Sequence, residues 1–182
     1  MTNIVIRKAT LNDVLQLQKI GRQTFSETFS AGNTEENLTK YLEAGFSIEK
    51  LTSELNHSNS EFYFAFNNNH VIGYVKLNFG EAQTEIKDKF ALEIERIYVL
   101  KEFQGKNIGQ ILFEKAKQVA SQKKAKYIWL GVWEQNQKAI HFYKKNGFIE
   151  FDKHLFKLGN DEQTDIMMKL HLANPVSHIV LS

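Results

Sequence analysis

The order of apolar and polar residues switches between helical and strand periodicity along the chain. Apolar positions three or four residues apart predict helices, whereas runs of β-branched and aromatic residues predict strands. Residues 4–7 form such a run and predict an opening strand. A helix through Val14 and Ile20 follows, because Thr10 and Asp13 make a capping-box-like start. The chain therefore opens with a strand and a helix.

Two shorter helices are predicted between residues 34 and 56. Leu38 and Leu42 recur at helical spacing, and Ser47 can cap a second segment that contains Leu51. Because each segment is short, both helices need packing against the rest of the protein.

A β-hairpin is predicted next, from two runs rich in aromatic and β-branched residues at 61–66 and 71–79. Residues 67–70, Asn-Asn-Asn-His, provide turn chemistry between them. A further strand is predicted at about residues 92–99.

The second half of the chain continues this alternation. Residues 108–120 carry apolar side chains on one helical face, and residues 127–132 form an apolar strand. Asn136 can cap another helix, which ends at Asn146-Gly147. Residues 148–151 and 164–170 are predicted as strands. This order indicates an α/β fold, with a mixed sheet and helices on its faces.

Composition supports one domain. The chain has 182 residues, of which 42% are hydrophobic and 24% charged, and its single proline does not divide it. We expect the domain to cover residues 1–172 and a tail to cover residues 173–182. The tail is apolar, so it is expected to pack either on the domain or on a second copy of the chain as a homodimer, or to be frayed.

Charge and apolar content also limit the partners. The net charge is +2 and the basic residues are spread along the chain, which argues against nucleic acid. No stretch approaches the roughly 18 apolar residues of a membrane helix. The first residues lack the order of a signal peptide, so a cytoplasmic location and no membrane partner are expected.

Cysteine and histidine usage narrows the chemistry further. The chain has no cysteine, which excludes disulfides, cysteine-ligated metal and a thiol nucleophile. Its six histidines show no spacing typical of metal ligands, so no metal is expected.

The most informative segment joins the strand at residues 97–99 to the following helix through Gly105 and Gly109. Glycine permits positive φ, and the first helical turn presents unpaired amide N–H groups, a combination that binds phosphate. The spacing fits neither the Walker loop nor the Rossmann pattern, so NTP and dinucleotide binding lose support. Turn chemistry alone leaves a purely structural role equally open.

Two motifs in this region resemble those of the GNAT superfamily of N-acetyltransferases. Residues 104–109, Gln-Gly-Lys-Asn-Ile-Gly, are similar to its acyl-CoA pyrophosphate motif, with Asn107 where the family usually has glycine. Asn tolerates left-handed backbone better than most residues, so this departure is mild. Residues 130–148 resemble the second family block, and the segment 96–104 is most similar to the bacterial PaiA-type spermidine/spermine acetyltransferases.

The resemblance implies a single-domain GNAT-like fold with a mixed, mostly antiparallel twisted sheet of about seven strands. It also implies acetyl-CoA as co-substrate and Tyr143 as the residue that protonates the leaving thiolate. Asn136 would bind the pantetheine amides or cap its own helix, and lysines would meet the phosphates. The cofactor-binding residues implied are Ile97, Tyr98, Val99, Gln104, Gly105, Lys106, Asn107, Ile108, Gly109, Gln110, Asn136, Ala139, Tyr143 and Lys145.

The acceptor amine arrives mostly protonated, so a group must remove its proton before attack. Glu93 and Glu95 alternate onto one face of their strand and are the candidate bases, with Glu93 first because it matches the position of the base in the histone-acetylating branch of the family. Solvent exposure of both is the simpler alternative. Acidic residues of the first helices and the loop before this strand, among them Glu27, Glu36 and Glu81, are candidates for binding a cationic acceptor.

The sequence thus predicts direct acetyl transfer from acetyl-CoA to a primary amine of a small cationic acceptor, with polyamines such as spermidine and spermine favoured. Acetylation of a peptide, protein or antibiotic amine is one alternative. A non-catalytic acyl-CoA-binding regulator is another, which the departure at Asn107 keeps open.

Overall fold

Strands and helices alternate along the chain in the order that the sequence predicts. The computed structural model describes residues 4–158 and 161–173. The elements within these ranges are β1 Ile4–Lys8, α1 Val14–Phe29, α2 Glu35–Gly45, α3 Ile48–Asn56, β2 Ser60–Asn67, β3 His70–Phe79, β4 Ala91–Val99, α4 Ile108–Gln122, β5 Tyr127–Trp133, α5 Gln137–Lys145, β6 Ile149–Leu158 and β7 Asp161–His171.

The strands form one seven-stranded sheet in the order β1-β2-β3-β4-β5-β7-β6. Every neighbouring pair is antiparallel except β4 and β5, which run parallel. Helix α4 makes the crossover between these two strands, as a parallel connection requires. The single-domain α/β fold with a mixed, mostly antiparallel sheet is therefore confirmed.

The sheet divides where β4 and β5 meet. The two strands pair only over Ala91–Glu93 and Tyr127–Trp129, and beyond Glu93 each remains paired only with its other neighbour. Strand β4 also carries a bulge at Glu95, where the register with β3 shifts. A bulge bends and twists its strand. The separation opens a cleft in the middle of the sheet.

Local signals in the sequence set the helix starts around this cleft. The side chains of Thr34, Ser47 and Asn136 each accept a hydrogen bond from a backbone N–H in the first turn of the following helix. The predicted apolar face of α4 is buried at Ile108, Leu112, Ala116, Val119 and Ala120. Phe113 is also buried, whereas Ile111, predicted on this face, is only partly buried.

The last two strands are longer than predicted. Strand β6 continues seven residues past the predicted end at residue 151, and β7 begins at Asp161. The residues at 152–155 are exposed on an edge strand, so they carry no apolar alternation that would mark a strand. Beyond residue 173 the predicted tail lies outside the described residues.

No helix in the described ranges is long and apolar enough to cross a membrane.

Candidate active site

Two cavities meet where β4 and β5 separate. An outer cavity of about 620 Å³ lies between the end of β4, the turn before α4, and α5. An inner cavity of about 340 Å³ lies over the sheet beneath α1 and α2. Five residues line both cavities: Ile97, Trp133, Asn136, Ala139 and Tyr143. A molecule in the outer cavity would thus reach the inner one at Tyr143.

The turn before α4 has the backbone geometry of an anion site. Gly105 has φ +78° and Asn107 has φ +66°, so both residues adopt the left-handed conformation. Asn107 precedes the first residue of α4, and its carbonyl accepts a hydrogen bond from the N–H of Ile111. The N–H groups of residues 108–110 come earlier in the helix and have no intrahelical acceptor. Gly109 has open space where a Cβ would lie, so a ligand can approach the backbone closely.

Polar side chains tie this turn to α5. Gln104 donates from Nε2 to the carbonyl of Val99 at 3.1 Å and accepts from Lys138 Nζ at 2.8 Å. Asn136 caps α5 by accepting from the N–H of Ala139. The lysines that line the outer cavity are Lys101, Lys138 and Lys145. The cavity thus presents helix N–H groups and cations together, which suits a phosphate-bearing ligand.

The outer cavity brings together twelve of the fourteen residues predicted for the cofactor: Ile97, Val99, Gln104, Gly105, Asn107, Ile108, Gly109, Gln110, Asn136, Ala139, Tyr143 and Lys145. Tyr98 instead faces the inner cavity, because successive residues of a strand point to opposite faces. Lys106 lies outside both cavities, with Nζ 5.0 Å from the centre of the Phe103 ring.

Tyr143 is buried at the junction of the two cavities, with 7% of the residue exposed. Its ring packs edge-on against Phe142 and Phe148, and its hydroxyl has no hydrogen-bond partner among the described residues. Burial raises the pKa of the hydroxyl above its usual value. The side chain is therefore a fixed, neutral hydroxyl that faces the cavities.

Glu93 lines the inner cavity at the last position of β4 that pairs with β5. It accepts hydrogen bonds from the backbone N–H and hydroxyl of Thr84 and from Asn78 Nδ2. Burial raises the pKa of Glu93, against the effect of these hydrogen bonds, which lower it. The result is a carboxylate with increased basicity, held in one orientation.

Glu95 also lines the inner cavity, but it belongs to a buried network of four charges. It lies 2.6 Å from Lys76 Nζ and 3.1 Å from Arg96, and Glu54 contacts the same two cations at 3.0 and 3.1 Å. Burial alone would raise the pKa of Glu95, but Arg96 and Lys76 lower it below its usual value. Glu95 is therefore a poor proton acceptor, although it lies beside Glu93 as predicted and shares the donor Asn78 with it.

The three acidic residues predicted for the acceptor lie apart from each other and outside the inner cavity. Glu27 lines the outer cavity and accepts from the backbone N–H of Lys101 at 2.8 Å. Glu36 is exposed and paired with Lys40, and the side chain of Glu81 is 82% exposed. Their positions in the sequence could not show that these three carboxylates lie outside the inner cavity, because tertiary packing decides which carboxylates line it.

The inner cavity has aromatic walls and four carboxylates. The aromatic residues are Phe25, Phe29, Tyr41, Tyr98, Trp129 and Trp133. The carboxylates are Glu85, Glu93, Glu95 and Asp165, and Arg96 and His154 are the basic residues that line it. The sequence analysis did not identify four of these lining residues as site residues, because they belong to no motif that marks this cavity: Asp165, His154, Trp129 and Trp133. The alternating pattern of β7 could only have indicated a side chain on one face of the sheet.

Among the described residues no group of three histidine, aspartate or glutamate side chains could hold a metal ion.

Comparisons with known proteins agree with this geometry. Residues 22–148 match the model of the acetyltransferase (GNAT) family. The chain is 40% identical over 169 residues to an uncharacterized N-acetyltransferase of Lactobacillus delbrueckii subsp. lactis, covering 93% of this chain and 98% of that protein. It is 30% identical over 150 residues to spermidine N(1)-acetyltransferase of Thermoplasma acidophilum, covering 80% of this chain and 88% of that protein.

Among solved structures, PaiA N-acetyltransferase from Thermoplasma acidophilum in complex with coenzyme A superposes with a TM-score of 0.79 at 26% identity. The match covers 93% of this chain and 99% of that chain.

Proposed function

The chain belongs to the GNAT family of acetyl-CoA-dependent N-acetyltransferases, and on this premise we propose that it acetylates a small cationic amine, with polyamines such as spermidine and spermine as favoured acceptors. The observation that carries this proposal is the inner cavity, in which four carboxylates line aromatic walls beside Tyr143. The similarity to a spermidine acetyltransferase supports the same acceptor class.

The residues of the outer cavity fit acetyl-CoA. The left-handed turn and the first N–H groups of α4 would hold the pyrophosphate, and Lys101, Lys138 and Lys145 would add positive charge. The edge of β4 beyond Glu93 has backbone groups that β5 does not pair, and these would hold the amides of the pantetheine arm. When bound, acetyl-CoA supplies an activated thioester.

The inner cavity favours a positively charged acceptor. Arg96 is neutralised by Glu54 and Glu95, so the guanidinium does not offset the remaining carboxylates. An ammonium group gains from carboxylates through charge and from aromatic faces through cation–π attraction. The same surface would disfavour an acidic or neutral acceptor.

Proton transfer is assigned to two residues. Glu93 accepts the proton that the acceptor ammonium must lose, directly or through water, because its raised pKa makes it the more basic of the two β4 carboxylates. Tyr143 donates a proton to the departing thiolate. The chain has no cysteine, so the amine attacks without a thiol intermediate on the protein.

The acceptor class is tested by measuring release of free CoA thiol with a panel of spermidine, spermine, a lysine peptide and an aminoglycoside. We expect the polyamines to give kcat/KM values at least about tenfold above the others, since each adds charge that the cavity can pair. The lack of cysteine gives a low thiol background.

Preference for the peptide would contradict the proposal and favour a protein acceptor, and preference for the aminoglycoside would favour an antibiotic one. Binding of acetyl-CoA without thiol release from any acceptor would overturn the proposed acceptor class.

The left-handed backbone at Asn107 gives a separate prediction for the cofactor. Replacement with glycine removes the steric strain of a side chain at positive φ, so we expect a KM for acetyl-CoA that is within about twofold of the wild-type value or lower. Replacement with valine is expected to raise that KM about tenfold or more, because a β-branched residue strains this conformation and moves the amide groups. Ala125→Val, in the loop at the opposite end of α4, is the control for adding a branched side chain away from the turn. Equal KM values for the glycine and valine variants would contradict the proposed amide contact.

A further inference from the structure

Asp165 differs from the other carboxylates of the inner cavity in having no hydrogen-bond or ion-pair partner among the residues that the structure describes. It lies on β7 opposite Trp133 of β5 and His154 of β6, and its side chain lines the cavity. Its carboxylate makes no hydrogen bond or ion pair with any described residue. A half-buried carboxylate without a partner is costly, so a ligand cation at this point would be favoured.

The other three carboxylates are already engaged. Glu93 accepts from Thr84 and Asn78. Glu95 is held by two cations. Glu85 lies 3.1 Å from His154 Nε2 at the rim of the cavity. Asp165 is therefore the carboxylate most available to a cationic ligand.

Asp165 and Tyr143 differ in the cavities that they line. Tyr143 marks the end that opens into the outer cavity, whereas Asp165, Glu85 and His154 line the inner cavity alone. The side chains of Glu85 and His154 are 34% and 44% exposed, so this end opens to solvent. Asp165 thus lies in the inner cavity with the partly exposed Glu85 and His154, and its cross-strand neighbour Trp133 lines both cavities.

A glycine on β5 keeps the carboxylate open to the cavity. A Cβ on Gly131 would lie 3.4 Å from Oδ2 of Asp165, so a larger side chain there would cover the oxygen. Trp133, which packs against Phe29 with ring centres 5.6 Å apart, provides an aromatic wall next to it. A carboxylate beside an aromatic wall is a suitable binding site for an alkylammonium group.

We propose that Asp165 binds the second, non-reacting ammonium group of a diammonium acceptor while the reacting amine lies at the Tyr143 end of the cavity. This inference rests on the proposed function and defines its substrate as an amine with two separated positive charges. Asp165 is assigned to the second ammonium, and not to the reacting one, because it lines the inner cavity alone with the partly exposed Glu85 and His154, whereas Tyr143 lines both cavities.

The electrostatics of Asp165 agree with this role. Burial raises the pKa of Asp165 to about 6, with Glu85 acting in the same direction and His154 in the opposite one. An ammonium group would replace the solvation that burial removes from the carboxylate.

The experiment compares putrescine with pentylamine, which has the same length and a methyl group in place of the second amine. We expect wild type to prefer putrescine, and Asp165→Asn to lower kcat/KM for putrescine about 10- to 100-fold, the range for losing a charged hydrogen bond. The same variant should keep kcat/KM for pentylamine within about threefold and KM for acetyl-CoA unchanged.

Asp152→Asn is the matched control, because Asp152 is exposed on β6 outside both cavities and its replacement removes the same charge. Thermal unfolding of each variant checks that the fold is retained. An equal loss with both amines, or no loss with putrescine, would overturn the inference and leave the proposed function intact. A wild-type enzyme that acetylates none of these amines but acetylates the lysine peptide would instead overturn the polyamine assignment, and the inference with it.

Discussion

Replacing Tyr143 with phenylalanine is expected to lower kcat about 10²- to 10⁴-fold, the usual contribution of a positioned general acid. The hydroxyl is the group lost, and it has no partner among the described residues that its removal would leave unpaired. Because burial raises its pKa, the hydroxyl stays protonated throughout a neutral assay. The KM for acetyl-CoA should change by less than about threefold, since the ring remains packed.

The measurement is thiol release at saturating acetyl-CoA, together with equilibrium binding of acetyl-CoA to the variant. Tyr127→Phe is the control, because Tyr127 donates its hydroxyl to Asp88 outside both cavities. A kcat within threefold of wild type for Tyr143→Phe would exclude Tyr143 as the proton donor.

Replacing Lys76 with methionine is expected to lower the free energy of unfolding by about 3–5 kcal/mol, the effect of removing one partner from a buried ion pair. Lys76 is 5% exposed at its side chain and lies within 3.0 Å of both Glu54 and Glu95. Its loss leaves two buried carboxylates with Arg96 alone. The urea midpoint at neutral pH measures the change.

Two further variants test that reasoning. Lys40→Met breaks the exposed pair with Glu36 and should cost less than about 1 kcal/mol. Adding Glu54→Leu to Lys76→Met restores charge balance and should recover part of the lost stability. A Lys76→Met variant as stable as Lys40→Met would show that the network is not a stabilising element.

Local chemistry in the sequence predicted the elements and the outer cavity. Helix starts at Thr34, Ser47 and Asn136 follow from side chains that bond backbone groups within one turn. The left-handed backbone at Gly105 and Asn107 agrees with their residue types, since glycine and asparagine tolerate positive φ. Residues 104–110 lie close in the chain, so a motif read from the sequence also places most of one site in space.

The inner cavity could not be predicted in this way. Glu93 and Glu95 look equivalent as alternate residues of one strand, yet Glu95 is neutralised by Lys76 and Arg96. These two cations also contact Glu54 of α3, which is 42 positions from Arg96 in the chain. The sequence predicts Glu27 as a residue that binds the acceptor amine. In the structure its carboxylate instead accepts a hydrogen bond from the backbone N–H of Lys101, 74 positions away.

The sequence by itself therefore determined the order of strands and helices, the turn before α4 and the cap of α5 at Asn136, because these depend on interactions within a few residues. The family resemblance placed Tyr143. The tertiary structure decided which carboxylates line the inner cavity, which of them are neutralised, and that Asp165 is open to the cavity beside Gly131. The physical reason is that charge pairing and burial depend on distances between strands and helices far apart in the chain, which a residue pattern does not encode.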